Sequence, residues 1–134
     1  MTTIGGFSHL YVQGTDLNRS EKFYHDLIGL DVVGRDLINE GGPNSTLALN
    51  TRHRVMLVEV DEVKPFRPNS SSIHHAWYLT PEQVDQAKMR MRAAGYEVGD
   101  NRAQFRAVGE RSMDIFDPDG HLYQIQTFGA EASD

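Results

Sequence analysis

An α+β protein built from two βαβββ modules is expected from three features of the 134-residue sequence. Short β-rich runs with alternating character surround two stretches of helical periodicity, Leu17–Ile28 and Val84–Ala94. Each stretch ends at a glycine, Gly29 or Gly95, suited to a left-handed helix cap. Polar residues also recur at one offset: His9 and His74 lie 65 positions apart, and so do Glu59 and Gln124. A repeated offset signals an internal repeat.

The elements follow in order. Residues 1–6 are a loose, Gly-rich lead-in. Phe7–Gln13 is the first strand, with Phe7, His9, Tyr11 and Gln13 on one face and Ser8, Leu10 and Val12 on the other. Thr15 or Asp16 can cap the helix that carries Leu17, Ser20, Phe23, Tyr24, Leu27 and Ile28. Strands are expected at Leu30–Arg35, Ser45–Leu49 and Arg54–Val60, the last with Val55, Leu57 and Glu59 on one face. Residues 61–72, with Pro65, Pro68 and three consecutive serines, form a linker. The modules are thus about 7–60 and 73–128.

The second module opens with the strand Ile73–Thr80, where His75 alternates away from His74. Thr80 and Pro81 suit a helix start. Glu82, Asp85, Lys88 and Arg92 are expected on that helix's wet face, and Trp77 beneath the helix. Tyr96–Val98 begins a strand that Ala103–Ala107 continues or restarts, and Glu110–Phe116 is another. The run Asp117-Pro118-Asp119-Gly120 is a tight turn: Pro118 presets φ, Asp117 and Asp119 can bond nearby backbone, and Gly120 accepts positive φ. The closing strand then sets Leu122, Gln124 and Gln126 on one face and Tyr123, Ile125 and Thr127 on the other.

Bulk properties exclude several classes. The net charge is −6, and no cluster of Lys or Arg suggests a nucleic-acid or anionic-membrane surface. Cysteine is absent, so disulfides, thiolate zinc sites and thiol nucleophiles are excluded. No apolar leader and no run of eighteen apolar residues is present, so a cytoplasmic protein is expected.

If the two modules are related by a pseudo-twofold, His9, Glu59, His74 and Gln124 can converge. Two imidazoles, a carboxylate and an amide oxygen suit a divalent ion such as Fe, Mn, Ni, Co or Zn, with positions open for water or substrate. Each residue also has a plainer reading: satisfied core histidines, a strand-end carboxylate reaching solvent, and a hydrogen-bonded core amide. Tyr11 and Tyr78 share faces with His9 and His74 and can line a substrate pocket or simply pack. Arg102, Arg106 and Arg111 can bind an anion at a site mouth or serve a solvated loop.

The module order, with SHLYVQGTDLNRSEKFYHDLIGL around His9, HHAWYL around His74 and DPDGHLYQ ending at Gln124, resembles the vicinal oxygen chelate superfamily of glyoxalases, bleomycin-resistance proteins and extradiol dioxygenases over about residues 7–128. The resemblance implies a curved, cup-shaped mixed sheet with a helix backing each half, a homodimer, and a small-molecule substrate. It implies a metal-dependent enzyme with His9, His74 and Gln124 as ligands and Glu59 as fourth ligand or base. Ring cleavage by a dioxygenase is slightly favoured over glyoxalase-like lyase or isomerase chemistry. Position 124 is normally Glu in the metal-using members. The Gln here departs from that pattern and leaves open a metal-free binding protein of the bleomycin-resistance type.

Overall fold

The computed structural model describes residues 7–39, 41–63, 74–99 and 109–127. The chain divides into two compact units, Met1–Lys64 and Pro65–Asp134, and the division falls inside the expected 61–72 connection.

The first unit holds strands β1 (His9–Gly14), β2 (Asp31–Arg35), β3 (Asn44–Ala48) and β4 (Arg54–Glu59) in the order β1-β4-β3-β2. β1 runs parallel to β4, and β3 is antiparallel to both of its neighbours. Helix α1 (Leu17–Glu21) starts at Asp16, whose side chain accepts from the Arg19 amide at 3.0 Å. The coil then widens into a π-helical segment, Lys22–Ile28. Gly29 closes it at φ 105°, where the amides of Gly29 and Leu30 both donate to the Tyr24 carbonyl. A β-branched or bulky side chain would be strained at that φ. Phe23, Tyr24 and Ile28 are buried with Val55, Leu57 and Leu47 as the core of this unit.

The second unit holds β5 (His75–Tyr78), α2 (Pro81–Ala93), β6 (Ser112–Phe116) and β7 (Leu122–Gln126), with strand order β5-β7-β6. Again the opening strand lies parallel to the closing one, β5 on β7. A capping box starts α2: Thr80 Oγ1 accepts from the Gln83 amide at 3.2 Å, and Gln83 Oε1 accepts from the Thr80 amide at 3.0 Å. The buried stripe of α2 is Val84, Ala87, Lys88 and Met91, set over Met113, Ile115, Tyr123 and Ile125. Lys88 therefore lies on the buried face, not on the expected wet face. Its position follows from the i, i+3, i+4, i+7 stripe, and a lysine stem can lie along apolar surface.

Tyr96–Val98 does not form the expected strand. Gly99 alone makes an antiparallel bridge, to Asp114, and Ala103–Ala107 lies outside the described residues. The turn after β6 forms as anticipated. Asp117 Oδ1 accepts from the amides of Asp119 and His121 at 3.0 and 2.9 Å, and Gly120 has φ 91°.

Candidate functional site

Strand register decides which side chains share a surface. In the first unit His9 pairs with Arg54, Tyr11 with Met56 and Gln13 with Val58. Paired residues of adjacent strands point the same way, so these six side chains share one face. Leu10, Val12, Val55, Leu57 and Glu59 point to the other, where α1 packs. Glu59 is thus on the opposite face from His9. It pairs with Gly14, five residues along β1, which sets it about 16 Å from His9 along the strands. Its carboxylate accepts from the Leu17 amide at 2.8 Å, at the start of α1. The expectation that Glu59 joins His9 at a metal or acts there as a base is corrected by this placement. Glu59 closes the helix start.

His9 is exposed, and its Nδ1 lies 3.0 Å from Ser8 Oγ, so Nε2 is the ring nitrogen turned to other partners. Tyr11, on the same face, is 50% exposed. Thr46 pairs with Met56 on that face, and its Oγ1 is buried with no hydrogen-bond partner among the described residues. The sequence reading did not single it out, because a threonine in a β-run carries no local signal.

In the second unit Ala76 pairs with Gln124, and Gln124 in turn pairs with Asp114. His74 stands two residues before Ala76, just ahead of β5, so in an extended chain it shares their face. Tyr78, 48% exposed, belongs to the same row. His75 and Trp77 point the other way, where their rings lie 6.1 and 4.6 Å from the buried ring of Tyr123. Burial lowers the His75 pKa below the usual imidazole value, with the neighbouring His74 and His121 imidazoles adding to the effect.

Gln124 is 8% exposed. An amide oxygen on the same face as an imidazole is, by donor chemistry, compatible with a hard or borderline divalent ion. Among the described residues, however, no three His, Cys, Asp or Glu side chains gather around a common point. Of the arginines, Arg111 pairs with Asp85 of α2 at 3.1 Å, and Arg102 and Arg106 lie outside the described residues.

The fold and this row of polar side chains define a protein with two mixed-sheet modules and N/O donors on the sheet face. The chain belongs to the Glyoxalase/Bleomycin resistance protein/Dioxygenase superfamily, whose family model matches residues 6–125. It is 28% identical over 113 residues to catechol-2,3-dioxygenase of Bacillus subtilis (strain 168), covering 78% of this chain and 36% of that protein. The chain thus spans about a third of the length of that relative. It is 26% identical over 120 residues to glutathione transferase FosA of Serratia marcescens, covering 88% of this chain and 77% of that one. Among solved structures, the E126Q variant of the fosfomycin resistance protein FosX from Listeria monocytogenes, complexed with Mn(II) and 1S,2S-dihydroxypropylphosphonic acid, matches with a TM-score of 0.72. That match is 22% identical and covers 93% of each chain.

Proposed function

We propose that the chain is a metal-dependent enzyme of the vicinal oxygen chelate type acting on a small oxygenated substrate. The observation that carries this reading is the buried Gln124 side chain, paired with Ala76 on the face of the second sheet that His74 shares in an extended chain. His74 and Gln124 are the proposed donors in the second unit and His9 the proposed donor in the first, for an ion of the set Fe, Mn, Ni, Co or Zn. When bound, such an ion supplies Lewis-acid stabilisation of charge developing on substrate oxygens. The chain's own side chains do the rest. The Ser8 contact orients the His9 ring, the β5–β7 register sets Ala76 opposite Gln124 with His74 two residues before it, and Tyr11 and Tyr78 offer aromatic surface for the substrate. With Glu59 closing α1, none of the four residues first singled out serves as a base.

Ring-cleaving dioxygenase is the favoured activity, supported by the likeness to the Bacillus subtilis dioxygenase. Lyase or isomerase chemistry of the glyoxalase type is second among enzymes. A metal-free binding protein is the competing reading, and the neutral Gln124 favours it. A homodimer belongs to the same proposal.

The test is elemental analysis of the purified chain before and after incubation with each of the five ions, alongside His74→Ala. About one ion per chain in the parent and none in the folded variant supports the enzyme, and catechol cleavage by the Fe or Mn form would select the dioxygenase. If the parent retains no ion under any condition, the binding protein stands instead.

A further inference from the structure

Thr46 of β3 is 8% exposed, and its Oγ1 is shielded from solvent with no hydrogen-bond partner among the described residues. A threonine hydroxyl carries one donor and two acceptor positions. Burying it unsatisfied is costly, and such orphans are uncommon in native proteins.

The register sets this hydroxyl among apolar neighbours. Thr46 pairs with Met56 of β4 on one side and with Gly34 of β2 on the other, and Met56 pairs in turn with Tyr11 of β1. Paired residues point to one face. Gly34 has no side chain to place there. A Cβ at Gly34 would stand 2.4 Å from Leu37 Cδ1, so the Leu37 side chain fills the slot beside Thr46 instead.

The backbone around Leu37 is pinned while its side chain is not. Asp36, at φ 54°, donates its amide to the Asn44 carbonyl at 2.8 Å. The buried Asn44 side chain grips Ile38 on the other flank: its Oδ1 accepts from the Ile38 amide at 3.2 Å, and its Nδ2 donates to the Ile38 carbonyl at 3.0 Å. Leu37 itself is 63% exposed. Such a side chain can turn between rotamers while the loop stays in place. The cation on this face is engaged elsewhere. Arg54, two residues along β4 from Met56, donates through Nη1 to the carbonyls of Asn50 and His53 at 2.7 and 3.1 Å. One hydroxyl in apolar surroundings, with no cation directed to it, suits a neutral oxygen on an aromatic body.

We propose that Thr46 Oγ1 is the hydrogen-bonding group of a substrate subsite on this face, taking the hydroxyl of a phenol-type ring against Tyr11 and Met56 when the Leu37 side chain swings aside. The subsite lies within the first unit. It deepens the small-substrate reading given above, whose Tyr11 it uses, and it requires no ion.

The test titrates the full chain, in EDTA, with phenol and with toluene, which carries a methyl in place of the hydroxyl; NMR chemical shifts report binding. Thr46→Val, of the same shape without the hydroxyl, is expected to weaken phenol binding about fivefold, the size of one neutral hydrogen bond, and to leave toluene binding unchanged. Thr46→Ser, which keeps the hydroxyl, is expected to bind phenol as the parent does. Phenol is also expected to shift the Leu37 methyl resonances of the parent. In the ligand-free chain Thr46→Val is expected to raise the urea midpoint, because an unsatisfied hydroxyl is removed; a purely structural hydroxyl would lower it. A lowered midpoint, equal phenol affinity in the parent and Thr46→Val, equal losses of phenol and toluene, unmoved Leu37 methyls, or a parent that binds no phenol would each overturn the assignment. Metal content of the parent is measured separately. An ion retained by a chain that fails with phenol leaves the metal reading standing, and a chain that binds phenol as expected yet retains no ion leaves the Thr46 subsite standing.

Discussion

Replacing Glu59 by alanine separates two roles that a carboxylate at this position could have. The side chain is half-buried, and its carboxylate accepts from the Leu17 amide at 2.8 Å. A hydrogen bond to a charged acceptor contributes about 1.5–3 kcal/mol. Negative charge beside a helix start adds roughly 0.3–1 kcal/mol. Water can reach the vacated amide in part, because Leu17 itself is only half-buried, so the lower end applies. Glu59→Ala should then destabilise the first unit by about 2 kcal/mol, and Glu59→Gln, which keeps an acceptor oxygen, by about half that. For a chain of this size 2 kcal/mol lowers Tm by about 5–8 °C. Differential scanning calorimetry and urea titration measure the loss, and metal analysis is run on the same samples. The expected result is a lowered Tm with unchanged metal stoichiometry. A variant that melts with the parent yet loses its ion would refute the placement of Glu59 at the helix start and restore it as a ligand.

Two further perturbations address the cores of the two units. Glu21 accepts from Arg35 and from Ser45 Oγ; the Arg35 hydrogen bond is the main cause holding its carboxyl below the usual range, against the opposing effect of burial. A carboxyl depressed in the folded state stabilises above its unfolded pKa of about 4.3, and that contribution is lost as pH falls through the lower folded value. Glu21→Gln should therefore reduce stability at pH 7 and flatten the decline below about pH 4, a difference read from urea midpoints across pH; parallel pH profiles would show that Glu21 does not contribute. Tyr123 is fully buried, its ring 4.6 Å from that of Trp77, so Tyr123→Ala should cost about 3–5 kcal/mol in urea unfolding; a cost below about 1.5 kcal/mol would mean that the ring is not part of the core.

Local signals in the sequence carried well. The turn chemistry of Asp117–Gly120, the Thr80 and Pro81 helix start and the glycine caps at 29 and 95 all depend on residues close in the chain, and each is present in the structure. What failed was non-local. Alternation within one strand tells which residues share a face, but not which face of one strand matches which face of another. The register that pairs odd-numbered His9 with even-numbered Arg54 puts Glu59 on the far side, and nothing near Glu59 in the chain encodes that. Lys88 misled for a different reason, since its charge outweighed its place in the apolar stripe. The pairing of Asp114 with Gln124 was legible in retrospect. Once the Asp117–Gly120 turn joins two strands, counting outward from Phe116 and Leu122 sets position 114 against 124.

The parity of the second sheet has an evolutionary consequence. Every even-numbered residue of β5, β6 and β7 faces one way, and the odd-numbered residues, including Met113, Ile115, Tyr123 and Ile125, build the core on the other. Substitutions at the exposed even positions, Ala76, Tyr78 and Phe116, can add or remove chemical groups without touching the packing that keeps the unit folded. Insertion or deletion of a single residue within a strand would turn the core outward. Lineages carrying this sheet should therefore diversify by exchange along its rows, while the lengths of its strands stay constant.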